Sequence, residues 1–96
     1  MLFVATCIDK LGSADIRMET RPAHLAHLNG LGSQVKLGGA LLASDCRTPV
    51  GSMIIFEAGS EADVHALMAR DPYVIVGLFE TVNVKPWRQG VGQSLG

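Results

Sequence analysis

Residues 52–70 read SMIIFEAGSEADVHALMAR and hold a strand and a helix joined by a cap. Ser52 to Ala58 is a β-rich run centred on Met53-Ile54-Ile55-Phe56, apolar on both faces, as in a fully buried strand. Ser60-Glu61-Ala62-Asp63 is a capping-box variant, with Asp where Glu or Gln is usual. It predicts a helix to about Arg70, with Val64, Leu67 and Met68 on one face. Asp71-Pro72 ends that helix, because a proline disfavours helical backbone in the residue before it.

The reading extends outward from there. A short helical turn from Tyr73 to Gly77 precedes a strand from Phe79 to Lys85, where Val82 and Val84 alternate with Thr81, Asn83 and Lys85. Pro86 suits the end of an edge strand, and residues 89–96 are a glycine-rich, flexible tail. Toward the N-terminus, Ser44 to Thr48 is a polar loop. Gln34 to Ala43 is a strand whose Gly38-Gly39 marks a bulge or a close approach. Leu2 to Ile8 is the first strand, closed by Asp9-Lys10 and Gly12. Ser13 caps a helix from Ala14, with Asp15 in its first turn. Pro22 predicts a kink or restart, leaving Ala23 to Leu31 as the main helix, with Leu25, Leu28 and Leu31 at helical spacing.

The order is β-α-β-β-α-β, the ferredoxin-like α+β arrangement with a four-stranded antiparallel sheet in one domain spanning residues 1–96. Right-handed crossovers put the first and third strands at its centre. Both helices must cover one face. The strands do not alternate apolar and polar: Leu2, Val4 and Ile8 oppose Phe3, Ala5 and Cys7, and Met53 and Ile55 oppose Ile54 and Phe56. A second copy of the sheet is the simplest cover for the other face, so a homodimer is expected.

Composition narrows the function. Hydrophobic residues are 48% of the chain and charged residues only 18%, which fits a domain with part of its surface covered by a partner. The net charge is −1 with scattered Lys and Arg, so neither nucleic acid nor a membrane surface is an expected partner. Cys7 and Cys46 match no zinc spacing and read as free thiols. The first apolar run is too short for a signal peptide or a membrane span, which predicts a cytoplasmic protein. There is no phosphate loop, dinucleotide fingerprint or nucleophile elbow, so no cofactor or metal is expected.

Three histidines are present. His65 and His27 read as surface residues. His24, in the first turn after Pro22, sits where free N–H groups and the positive helix end favour a neutral imidazole, the form a general base needs. On position alone a partly buried surface histidine is the default. Asp71 suits a cap for the turn that follows, and spacing leaves open whether it also meets His24. Arg17 and Arg21 read as solvated helix charges or as a clamp for an anion. Tyr73, Glu80 and Trp87 are candidate pocket walls, with packing as the alternative.

Arg21-Pro22-Ala23-His24-Leu25, Asp71-Pro72-Tyr73-Val74, Gly77-Leu78-Phe79-Glu80 and Val84-Lys85-Pro86-Trp87, in that order, resemble the YciI-like (YCII-related) family from Leu2 to Trp87. Gly39-Ala40 departs from the Gly-Pro usual there. The resemblance implies a dimeric α+β barrel and a small-molecule ligand. By motif it places an active site on His24 and Asp71; beside them Arg17, Arg21 and Tyr73, from their own chemistry and position, are the candidate substrate-binding residues. The implied chemistry is a cofactor-independent proton transfer driving elimination, isomerisation or a lyase step on a small cyclic or phenolic compound. The competing expectation is a non-catalytic dimeric module that binds a small ligand or a partner chain.

Overall fold

The apolar runs become four strands and the capped segments become helices. In the computed structural model, which describes residues 1–95, the elements are β1 (Leu2–Asp9), α1 (Ala14–Gly30), β2 (Val35–Leu42), β3 (Pro49–Glu57), α2 (Glu61–Ala69), α3 (Pro72–Ile75) and β4 (Phe79–Pro86). The sheet order is β2-β3-β1-β4, with every neighbouring pair antiparallel. The two strands with the strongest apolar runs are the central ones, as expected of strands that lose water on both edges. The fold is ferredoxin-like α+β, of the dimeric α+β barrel type.

Register sorts the faces. Phe3 pairs with Phe56, Ala5 with Ile54 and with Val84, and Cys7 with Ser52. These residues face the helices. With Val64 and Met68 of α2, the apolar ones among them form one buried core. Each large side chain there contributes roughly 1.5–3 kcal/mol through removal from water. Gly51 is fixed by close packing, since a Cβ there would collide with the Cys7 carbonyl oxygen. On the opposite face Val4 pairs with Ile55, Leu37 with Ile55, and Thr6 with Met53. Among the described residues no helix covers that side. Ile55 is nevertheless buried by its neighbours, while Leu37 stays 41% exposed and Ile8 46%.

The caps follow their chemistry. Ser60 Oγ accepts from the Asp63 N–H at 3.1 Å and starts α2. Asp71 Oδ1 accepts from the Tyr73 N–H at 2.9 Å and starts α3, with Pro72 in its first turn. Gly77, at φ +73°, ends α3 and returns the chain to β4.

One expectation fails at α1. Pro22 neither breaks nor restarts it, and the helix runs unbroken from Ala14 to Gly30. Ser13 precedes it without a side-chain cap. A proline removes one backbone hydrogen bond and crowds the preceding turn. Here Pro22 is exposed, while Arg17 before it and His24 after it are both buried on the same helix. Packing on both sides holds the helix in register. His24 is therefore a mid-helix residue, and the argument that placed it in a first turn with free N–H groups does not apply.

Candidate active site

Residues three, four and seven apart on a helix share a face, so α1 turns Arg17, Arg21, His24 and Leu28 to one side. They line a cavity of about 350 Å³ with Tyr73 of α3, Ser52 and Ile54 of β3, and Gly38 and Ala40 of β2. Gly38 keeps its floor low, because a Cβ there would press on Ile54 Cγ1 at 3.3 Å.

His24 and Asp71 meet in this site. His24 Nδ1 lies 2.9 Å from each Asp71 carboxylate oxygen, and Asp71 is wholly buried. A carboxylate only accepts, so Nδ1 carries a proton, and the only tautomer of a neutral ring that fits this contact has its lone pair on Nε2. Nε2 has no hydrogen-bond partner among the described residues, and none of their buried side-chain nitrogens or oxygens is left unsatisfied. Nε2 is thus open to the cavity that His24 lines. Asp71 caps α3 and meets the histidine at once.

Tyr73 forms the platform. Its ring stacks on His24 at 3.9 Å between centroids and 16° between planes, and meets Phe79 edge-on at 5.8 Å. The Arg17 guanidinium lies 4.8 Å from the same ring. Burial pushes the Tyr73 phenol above its ordinary pKa, against the pull of Arg17 and Arg21.

Arg17 is not a solvated helix charge; it is 7% exposed. Its Nε donates to Asp9 Oδ2 at 2.7 Å, and Nη2 donates to Asp9 Oδ1 at 3.0 Å and Ser52 Oγ at 2.8 Å. Burial opposes the Arg17 charge, but the hydrogen bond and charge of Asp9, helped by Tyr73, outweigh it and raise its pKa. Arg21 lines the cavity, is exposed, and has no hydrogen bond or ion pair among the described residues. Burial pushes the Cys7 thiol up to about 12, with Asp71 and Asp9 adding to it, so Cys7 is no nucleophile.

All five residues singled out from the sequence, His24, Asp71, Arg17, Arg21 and Tyr73, come together here. Glu80 and Trp87 do not line this cavity; Trp87 borders a second cleft with Met1 and Pro86. His27 is not a free surface ring: its Nε2 donates to the Leu67 carbonyl at 3.1 Å and ties α1 to α2. His65 is exposed. Sequence reasoning missed Asp9 and Ser52. Ser52 had a signal, as the one polar residue on the helix-facing side of an apolar strand. Asp9 looked only like a strand end. Among the described residues, no group of three or more His, Cys, Asp or Glu side chains is placed to hold a metal ion.

The YCII-related domain matches residues 1–88. Protein YciI of Escherichia coli is 38% identical over 96 residues, covering 93% of this chain and 98% of the relative. The 5-chloro-2-hydroxyhydroquinone dehydrochlorinase (TftG) of Burkholderia phenoliruptrix, solved with 2,5-dihydroxybenzoquinone, is similar with a TM-score of 0.85 and 34% identity. The match covers 94% of this chain and 96% of that one. A chain of the antibiotic biosynthesis monooxygenase kind from Chloroflexus aurantiacus shares the fold alone, at 7% identity and a TM-score of 0.53.

Proposed function

This chain belongs to the YCII-related domain family, and from that premise we propose that it is a small-molecule enzyme driving an elimination by proton transfer on an oxygenated ring. The observation that carries the reading is the His24 ring, fixed at Nδ1 by both oxygens of a buried carboxylate with Nε2 open to the cavity. Support comes from the likeness to a dehydrochlorinase solved with a dihydroxybenzoquinone.

In this reading Nε2 accepts a proton from the substrate. The electron pair of the broken bond forms a new π bond, and the leaving group departs with its own pair. The substrate loses one proton and one anion, so no redox partner is required and a base suffices. Asp71 is the positioning residue. It fixes the tautomer and faces the imidazolium formed on proton transfer. Tyr73 backs the imidazole. Arg21, without a partner among the described residues, holds an anionic oxygen at the cavity. An isomerisation or lyase step would use the same parts.

We assign the working form as a homodimer through the open sheet face of Val4, Leu37, Met53 and Ile55, and the compartment as the cytoplasm. Light scattering should give twice the 10.2 kDa chain mass at micromolar concentration, and a clean monomer would refute the assignment. The function is tested by chloride release from 5-chloro-2-hydroxyhydroquinone, alongside a panel of hydroxyquinols, lactones and small enones. Turnover of an oxygenated ring is expected. A protein that turns over none of them contradicts the proposal.

A further inference from the structure

Ser52 is polar on a face built from Ile54 and Phe56, and only 3% of it is exposed. Its oxygen accepts from Arg17 Nη2 at 2.8 Å, because arginine has donors only. The hydroxyl proton therefore points elsewhere. No acceptor for it exists among the described residues, and Ser52 lines the cavity that holds His24. Arg17 has already spent Nε–H and both Nη2 protons on Asp9 and Ser52. Besides the Nη1 edge that Arg17 itself keeps, the buried arginine bears on the cavity through the serine, and its charge makes that hydroxyl a stronger donor.

We propose that Ser52 is a substrate-binding residue that donates its Oγ–H to a phenolate or enolate oxygen of the ring, with Arg17 as the positioning residue behind it. Ser52 is a donor and not a nucleophile in this arrangement, because the guanidinium draws on the oxygen pair that an attack would need. The cavity therefore selects rings that carry an ionisable oxygen and binds them as anions. Asp9 completes the device by holding the guanidinium fork in place. This inference rests on the proposed function, since it supplies the substrate class for the same site.

The test uses 4-nitrophenol, whose phenol and phenolate absorb at different wavelengths, and 2,5-dihydroxybenzoquinone. Both are titrated into the wild type, Ser52→Ala and Ser52→Thr. In the wild type, bound nitrophenol should ionise at lower pH than free nitrophenol. Ser52→Ala should raise that midpoint by about one pH unit and weaken quinone binding about ten-fold, the usual worth of a hydrogen bond to a charged group. Ser52→Thr, which keeps the hydroxyl, should restore both. A structural role alone would leave the midpoint of bound nitrophenol where it was. If Ser52→Ala does not fold, Ser52→Cys replaces it, with a poorer donor of similar size and the same expected direction. If the wild type binds both probes and the variants bind them equally well, the role of Ser52 is overturned and the proposed function stands. If the wild type binds neither, both fall.

Discussion

Replacing Asp71 by Asn separates its two tasks. Asn caps a helix about as well as Asp, so the bond to the Tyr73 N–H and the start of α3 should survive. The contact with His24 should not survive in its present form. A hydrogen bond to a charged group contributes roughly 1.5–3 kcal/mol and one between neutral groups roughly 0.5–1.5, so the change costs about 1 kcal/mol. In a domain of this size that lowers the melting temperature by roughly 4–8 °C. The larger effect is on chemistry. An amide NH2 facing Nδ1 donates to it and moves the ring proton to Nε2, which removes the lone pair from the cavity. The analogous change in a serine-protease triad costs about 10⁴-fold through the wrong tautomer. Here a loss of about 10²–10⁴ in kcat is expected, the range of general-base catalysis. The nitrogen chemical shifts of the His24 ring report the tautomer without any substrate. Protonated Nδ1 is expected in the wild type and protonated Nε2 in the variant. An unchanged tautomer with wild-type turnover would refute the reasoning.

Two further perturbations follow from the buried groups. Asp9→Ala strands the Arg17 guanidinium with Ser52 alone, and breaking a buried pair costs about 3–5 kcal/mol, so calorimetry should show the melting temperature falling by more than about 10 °C. A drop of only a degree or so would mean that the pair is dispensable. Cys46 is exposed and Cys7 buried, so the native protein should react with one equivalent of a thiol reagent quickly and with two only when denatured. The Cys7 pKa is about 12 in the fold against 9.0 for an exposed thiol, so its share of stability is complete below pH 9.0 and is lost as pH rises toward 12. Urea midpoints should fall between about pH 8 and about pH 11, with a shallower fall in Cys7→Ala. Equal slopes would contradict this.

Much of the fold was legible because its signals are local. Four apolar runs, the Ser60 cap and the Asp71-Pro72 break each act within a few residues, and all of them appear in place. The restart expected at Pro22 is absent, because burial of Arg17 and His24 on either side kept α1 whole where local chemistry alone argued for a kink or restart. Its absence removed the helix-end argument for His24. The contact with Asp71 gives its ring a fixed proton position by a different route, across 47 positions of chain. The same distance problem hid the Asp9–Arg17–Ser52 network: it joins β1, α1 and β3, and no spacing along the sequence announces that a helix arginine is swallowed by the sheet. Asp71 lay between, since its cap was readable from Pro72 and its second contact was not.

The central claim, that His24 is the base of an enzyme and not a wall of a binding pocket, is tested most directly by His24→Gln. The variant and the wild type are compared for chloride release from 5-chloro-2-hydroxyhydroquinone and for binding of 2,5-dihydroxybenzoquinone. The account predicts that the variant binds the quinone within a few-fold of the wild type and loses turnover by about 10²–10⁴. Turnover in His24→Gln equal to that of the wild type, or a wild type that binds the quinone and turns over nothing, would contradict it.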